Sequence, residues 1–212
     1  MGNPVTYTLQ LAAASANNIA TTQTPSGAGN LTLNGSTVVD GVAILDVARR
    51  VLITCAGNNS GVTFTIYGTN HTGSPIYETI TGPNTTTAQS TFDYKTVTRI
   101  AISGASTGSL TVGTSSVGST PWIISNIHAI TPSIGLTCVV SGTVNYTVEY
   151  TPDNIMTTPL LTAPTAIAHP TLAIEDATAW GYFDFPIYGY RLTINSGTGS
   201  VTFTGIQAGI KG

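Results

Sequence analysis

The stretch that decides the fold is Phe92 to Val112, FDYKTVTRIAISGASTGSLTV, because it recurs near the C-terminus as Phe183 to Phe203, FDFPIYGYRLTINSGTGSVTF. Each copy begins with Phe-Asp-aromatic and continues with an arginine that opens an alternating apolar segment. A Ser/Gly/Thr turn and a second alternating segment complete it. Alternation with a period of two is the pattern of a half-buried strand. We therefore predict a hairpin that occurs twice, once in each of two related β-units.

The repeat supplies six matched residues that we take as its structural anchors. They are Phe92 and Phe183, Asp93 and Asp184, and Arg99 and Arg191. One interpretation is a structural arginine at a strand start, paired with the aspartate of its own repeat. The alternative is an interface anchor, because arginine is enriched at the energetic centres of protein interfaces.

Short alternating segments separated by Gly, Asn and Pro turns run through the rest of the chain, and no segment keeps a 3.6-residue period. This pattern is typical of all-β proteins. We predict two tandem antiparallel β-sandwich domains, jelly-roll or Ig-like, related by internal duplication. Residues 1–30 are expected to form an N-terminal arm or loop with a possible short strand, residues 31–118 domain 1, and residues 119–212 domain 2.

Several local expectations follow from the same pattern. Val62–Tyr67 should pair with Pro75–Ile80, and Gly113–Pro121 should be a linker, since it is rich in Gly, Ser and Thr. Pro152–Pro170 should be a long loop with at most one edge strand. Glu175–Trp180 is compatible with one helical turn.

The two cysteines, Cys55 and Cys138, end strands at matching positions of the two units. Matching positions in tandem domains lie far apart. We therefore expect two buried free thiols rather than a disulfide.

Only 7% of the residues are charged and the net charge is −3, while threonine alone makes up roughly a fifth of the chain. A chain without a basic patch is not expected to bind nucleic acid. The chain contains no run of 18 apolar residues, so the sequence predicts no transmembrane helix. So few charges favour a protein packed against copies of itself or a larger assembly, the alternative being an extracellular β-domain.

No catalytic, cofactor-binding or metal-binding residue is assigned, and we do not expect an enzyme. Gly104–Gly108 matches the G-x-S-x-G pattern of a nucleophile elbow, but it joins two predicted strands, so a turn is favoured. His71, His128 and His169 lack metal-ligand spacing. The acidic residues show neither a calcium loop nor a signalled pair of catalytic carboxylates.

The C-terminal half is rich in aromatic side chains, for which core packing, protein contact and sugar binding are all open. They are Trp122, Trp180, Tyr182, Phe183, Phe185, Tyr188 and Tyr190. A carbohydrate-binding or adhesin-like module is the alternative function that these residues support.

Four segments, Gly61–Thr69, Glu78–Gly82, Phe92–Ser103 and Gly113–Trp122, resemble small virion structural proteins of tailed bacteriophages, and the resemblance covers about residues 40–122. It implies a role in the particle, as a capsid decoration (cement) protein or as a subunit near the head–tail junction or tail. It implies no enzyme activity and no cofactor.

The resemblance also implies the partners. These are the major capsid protein or other virion proteins, with a homo-oligomer expected and a trimer favoured, on a capsid surface assembled in the host cytoplasm. Neither nucleic acid nor a membrane is expected as a partner. The contacts with the lattice are expected in the N-terminal arm and in Pro152–Pro170, because neither has an internal pattern to satisfy.

Overall fold

The computed structural model describes residues 4–126, 133–156 and 162–207, and within them the chain forms strands and no helix, so nothing described there could cross a membrane as a helix. The strands in chain order are β1 Val5–Gln10, β2 Ser15–Gln23, β3 Gly29–Asn30, β4 Val38–Val39, β5 Val42–Cys55, β6 Thr63–Thr69, β7 Pro75–Thr81, β8 Thr87–Gln89, β9 Tyr94–Ile102, β10 Leu110–Ser119, β11 Ile123–Ile124, β12 Ile134–Ser141, β13 Val144–Thr151, β14 Ile167–Ala168, β15 Ala179–Phe183, β16 Gly189–Gly197 and β17 Ser200–Gln207. The predicted all-β antiparallel class is confirmed.

The chain divides into two compact units, which we call the first and the second unit. The first unit is Ala13–Ser116, and the second combines Met1–Ala12 with Val117–Gly212. The N-terminal strand β1 belongs to the second unit because it pairs along its whole length with the last strand, β17. That these units are duplicated tandem domains remains a prediction.

In the first unit the central order is β7-β6-β9-β5, with β3 on β9, β4 and β8 on β5, and β2 on β10. Strand β5 changes partner along its length. Its beginning pairs with β9, its register shifts between Ile44 and Arg49, and its end pairs with β8. One apolar cluster from β2, β5, β6, β9 and β10 fills the core, with Phe64, Ile66 and Ile100 fully buried.

In the second unit one sheet has the order β1-β17-β12-β15, and β14, β13, β16 and β11 form neighbouring strands of another. Side chains of the two sheets meet in the interior. The rings of Tyr190 on β16 and Phe203 on β17 lie edge to face at 6.0 Å, and Tyr190 also packs on Phe183 of β15 at 6.2 Å. Burial raises the pKa of the Tyr190 phenol to about 12.

The repeated stretch is not a hairpin, which corrects the first prediction. Strand β16 pairs with β10, β11 and β13, whereas β17 pairs with β1 and β12 in the other sheet. The turn between them packs on its neighbour, since the backbone N–H groups of Thr198 and Gly199 both donate to the Thr143 carbonyl. A Cβ on Gly197 would lie 2.4 Å from that oxygen, so glycine lets the two turns approach. Strand alternation reports which face is buried and does not identify the partner strand.

Three other local expectations were wrong. The segment after Ala12, expected to be an arm, contains β2, which pairs with β10. The expected linker from Gly113 is the continuation of β10 to Ser119, because threonine and serine are acceptable in strands when their hydroxyls are bonded. The expected helical turn is extended backbone, in which Glu175 bridges to Tyr146 of β13 and β15 begins at Ala179.

Other expectations are confirmed. Strands β6 and β7 pair in register from Thr63↔Thr81 to Thr69↔Pro75. Cys55 and Cys138 are both buried free thiols. In the described part of 152–170 one short strand, β14, pairs with β13, while residues 157–161 lie outside the described residues.

Candidate binding face

The two phenylalanine anchors of the repeat differ in burial. Phe183 is fully buried on β15 and contacts the rings of Tyr150, His169 and Phe185 within 5.7 Å. Phe92 is partly buried against the core of the first unit, and its backbone N–H donates to Glu78 Oε1 at 3.1 Å. Both are packing residues.

The two arginine anchors sit at the same register position and contact different partners. Arg99 lies opposite Tyr67, with its guanidinium 3.8 Å from the ring centroid. Arg191 lies opposite Glu149, and its Nε is 2.7 Å from Glu149 Oε2, while its guanidinium also stacks over the Trp122 ring at 4.5 Å. These contacts are with an aromatic ring and a glutamate, rather than with the aspartates of the repeat.

The two aspartate anchors occupy different environments. Asp93 is buried, and its Oδ1 lies 3.8 Å from Arg50 Nε. Asp184 is exposed just after β15. The six anchors are thus spread over the cores and surfaces of both units, and they do not converge on one site.

Ser106 of the G-x-S-x-G match lies in the connection from β9 to β10, where its hydroxyl donates to the Gly108 carbonyl at 2.9 Å. Gly108 has φ +76°, a conformation that favours glycine. This arrangement satisfies a turn and differs from the strand-to-helix elbow that such a serine needs for nucleophilic attack.

His169 is a buried structural histidine of the second unit. Its Nδ1 accepts hydrogen bonds from the backbone N–H groups of Thr171 and Leu172 at 3.1 and 3.2 Å, and its Nε2 donates to the Tyr182 carbonyl at 3.1 Å. Burial lowers its pKa. His128 lies outside the described residues, and the described residues contain no cluster of three potential metal ligands.

The aromatic side chains of the second unit differ in exposure, and Trp122, Phe185 and Tyr188 are partly buried. Phe183 and Tyr190 belong to the core, as the packing interpretation expected. Trp180 and Tyr182 alternate on β15 with Gly181 and Phe183, point the other way, and are 75% and 57% exposed. Tryptophan is on average a strongly buried residue, so a Trp this exposed beside an exposed Tyr is unusual.

The four-stranded sheet β1-β17-β12-β15 carries these two rings on its outward face. No Asp, Glu, Lys or Arg occurs in any of its four strands. Threonine is the commonest outward residue, and two threonine pairs share hydroxyl hydrogen bonds across β1 and β17, Thr6 with Thr204 at 3.0 Å and Thr8 with Thr202 at 3.1 Å. The exposed Val139 and Ile206 lie on the same side. We call this outward surface the uncharged face.

A shallow trough crosses the uncharged face at Gly135. This glycine of β12 pairs with Tyr182 on one side and Ile206 on the other. Among the described residues, an added Cβ at Gly135 would meet nothing closer than the Ile206 carbonyl oxygen at 3.8 Å. Tyr182 and the half-exposed Ile206 therefore form two walls about 10 Å apart, at two strand spacings, with glycine as the floor. Trp180 stands about 7 Å from Tyr182 along β15.

Both rings were singled out from the sequence, but the face to which they belong was not. The signal was the sequence Ala-Trp-Gly-Tyr-Phe of β15, whose alternation puts Trp180 and Tyr182 on one side and Gly181 and Phe183 on the other. This alternation was missed because Glu175–Trp180 was interpreted as a helical turn. The strands that complete the face are brought together only by the tertiary fold.

No protein-family model matches the chain, and no curated protein matches its sequence significantly.

Proposed function

We propose that this chain is a non-enzymatic structural protein of a tailed-bacteriophage virion, most specifically a capsid decoration (cement) protein that binds the major capsid protein lattice and stabilises the head. It would act on the capsid surface as a homo-oligomer, a trimer being the favoured form. The alternative within the same particle is a head–tail adaptor or tail component.

The observation that carries the proposal is a surface with few charges and many exposed apolar side chains. The described residues expose twelve large hydrophobic side chains, against fifteen charged residues in the whole chain. Soluble proteins that stay apart from their neighbours usually carry mixed charge and expose no large apolar areas. A subunit held in a lattice is under no such constraint.

In the first unit, two exposed large apolar side chains lie on the hairpin formed by β4 and the start of β5. Asp40 and Gly41 form its tip with φ +51° and +80°, which is the geometry of a tight two-residue turn. Val39 beside the turn is 57% exposed and Ile44 is 50% exposed. A hairpin with exposed apolar flanks is suited to insertion between capsid subunits. It replaces the N-terminal arm as the favoured contact, because β1 and β2 are paired internally.

The proposal is tested by adding the purified chain to capsids that lack it and measuring saturation and affinity by sedimentation. The wild-type chain should bind at a fixed stoichiometry and raise the temperature at which the heads rupture. Val39→Ser with Ile44→Ser should weaken binding at least about tenfold, since replacing two apolar side chains that are buried in an interface costs more than about 1.4 kcal/mol.

The matched control is Ile174→Asn, in the second unit. Ile174 is 76% exposed and has φ +62°, a conformation that asparagine accepts readily. This variant should bind as the wild type does. A wild-type chain without affinity for such capsids would overturn the proposal.

A further inference from the structure

We infer that the uncharged face of the second unit binds a neutral polysaccharide, with Trp180 and Tyr182 stacking on successive sugar rings and the Gly135 trough receiving the chain. This goes beyond a role in a capsid lattice and does not depend on it.

The two exposed rings supply the first argument. Trp180 and Tyr182 lie on the same side of one edge strand, and each leaves more than half of its surface in water. A ligand that covers an aromatic ring removes a large apolar area from water. Trp and Tyr lose little side-chain entropy when they are held in such a contact. A pyranose ring has an apolar C–H face that fits such a surface, and its hydroxyls lie around the rim of the ring.

The polar groups of the face match that rim. The outward position beside Trp180 is a hydroxyl, since Thr137 pairs with Trp180 on one side and with Thr204 on the other, whereas the position beside Tyr182 is Gly135. A hydroxyl can donate once and accept twice, so a threonine already bonded to another threonine keeps capacity for a sugar hydroxyl. Ligand sites commonly combine apolar walls with a few such orienting groups.

The lack of charged side chains on this face favours a neutral ligand. The four strands hold no charged side chain, and the charged residues nearest to β15 in the sequence, Asp176 and Asp184, are both acidic. An anionic polysaccharide or a nucleic acid would find no cation on these strands, and the two carboxylates would repel it.

The trough gives the ligand its path. Gly135 leaves a strip between Tyr182 and Ile206 that is open at the floor, and in the next row along the sheet, Trp180, Thr137 and Thr204, the Thr137 side chain stands on that floor. An extended sugar chain can lie along β12 with one ring against each aromatic side chain. The corresponding strand of the first unit, β8, pairs Thr87 and Gln89 with β5 and offers no ring.

The site is tested by NMR titration of the full chain with neutral hexasaccharides of glucose, mannose, galactose and N-acetylglucosamine, and with hexagalacturonate as the charged comparison. The chain has two tryptophans, Trp122 and Trp180, and hence two indole N–H signals. At least one neutral hexasaccharide should shift the Trp180 signal with a Kd of about 1 mM or tighter, while the Trp122 signal stays in place and hexagalacturonate causes no shift.

Variants then locate the site. Trp180→Ala and Tyr182→Ala should each weaken binding about tenfold or more. Gly135→Val should block the trough without strain, because the position has ordinary strand geometry and open space. The control Tyr77→Ala removes a ring that is 47% exposed in the first unit and should leave the affinity unchanged.

Three results would overturn the inference. The first is the lack of any shift with every neutral hexasaccharide up to about 10 mM. The second is unchanged affinity in the Trp180 and Tyr182 variants. The third is concentration-dependent self-association that Trp180→Ala abolishes while no sugar binds, which would make the face a contact between copies of the chain. Capsid binding is measured separately, so failure of sugar binding and failure of the capsid role are distinguishable.

Discussion

Across β6 and β9 of the first unit, Tyr67 lies opposite Arg99, and across β13 and β16 of the second unit, Glu149 lies opposite Arg191. The match extends to the neighbouring strands. Ile102, three residues after Arg99, pairs with Gly29 of β3, and Ile194, three residues after Arg191, pairs with Gly118 of β10. The two units therefore place their repeated stretches in the same backbone pairings.

The strand that follows each repeat also has matching neighbours. In the first unit β10 pairs with β2, the strand nearest the N-terminus in that unit, and in the second unit β17 pairs with β1. Beside Cys55 and Cys138, the next strand contributes Thr87 and Trp180 respectively, each opposite the residue before the cysteine. The comparison teaches that one pairing scheme supports a mostly polar surface in one unit and an aromatic, uncharged face in the other.

Among matched positions of the two units, alanine substitution of the two phenylalanines should give the largest difference in lost free energy of unfolding. Phe183→Ala should destabilise the second unit by about 3–5 kcal/mol, because the side chain is fully buried in an aromatic cluster. Phe92→Ala should cost the first unit about 1–2 kcal/mol, because that ring is only partly buried.

The buried cysteines serve as reporters of this difference, since each unit contains one. Burial raises the pKa of Cys55, and it raises that of Cys138 to about 12. Phe183→Ala should accelerate thiol labelling of Cys138 in mild denaturant much more than that of Cys55, as followed by mass spectrometry. Equal acceleration at both thiols would mean that the chain unfolds as one body and that the two-unit comparison fails.

A smaller contrast is expected at the arginines. Arg191→Leu should destabilise the second unit by about 2–3 kcal/mol, because it leaves the mostly buried Glu149 carboxylate with only the Thr193 hydroxyl as a described partner. Arg99→Leu should cost about 1 kcal/mol or less, because an exposed cation over a ring contributes little. Denaturant titration of the two variants measures both values, and a larger loss for Arg99→Leu would reverse the argument.

The second unit should show a pH dependence that comes from His169. His169 has a lowered pKa because it is buried neutral, with Nδ1 facing two backbone donors. The unfolded chain takes up a proton at the ordinary histidine pKa of about 6.5, whereas the native state resists it. The stability that neutral His169 contributes to the second unit is therefore fully present above about pH 6.5. It is lost as the pH falls below this value towards the lower native-state pKa.

This effect is measured by Cys138 labelling between about pH 7.5 and pH 5, after correction for the thiolate fraction with Cys55 as the internal reference. His169→Asn keeps an acceptor near the Nδ1 position but does not titrate, and it should flatten the dependence. An unchanged slope in this variant would assign the effect to the carboxylates instead.

The smallest effect is expected from exchanging the surfaces. Trp180→Thr with Tyr182→Gln gives β15 the side chains that β8 presents at the matching positions, Thr87 and Gln89. Because both rings are exposed, the free energy of unfolding should change by no more than about 0.5 kcal/mol. A large loss of stability in thermal denaturation would show that the rings are structural and would weaken their assignment to ligand binding.

The sequence predicts which face of a strand is buried better than it predicts which strand pairs with it. Phe64, Ile100 and Tyr146 lie at alternating positions of β6, β9 and β13 and are fully buried, because side-chain direction in a strand depends on local geometry alone. The pairing of β1 with β17 joins residues nearly two hundred positions apart, and no local pattern specifies it. For the same reason, the prediction that each repeated stretch forms a hairpin was wrong, because the two strands of each stretch pair with other strands.

The candidate face shows why site prediction was incomplete. Trp180 and Tyr182 were noticed as aromatic residues, but only the fold separates them from the buried Phe183 and Tyr190. Their significance depends on three further strands without charge, which come from distant parts of the chain. Composition indicated the scarcity of charge and could not say where on the surface it mattered.

The central claim, a decoration protein of a phage head, is tested most directly by counting copies of the chain in purified virions by quantitative mass spectrometry. The account predicts on the order of hundreds of copies per particle, in a fixed ratio to the major capsid protein, because a cement protein repeats with the lattice symmetry. About a dozen copies would contradict it in favour of a head–tail or tail ring. Absence from the purified particle would remove the virion role altogether.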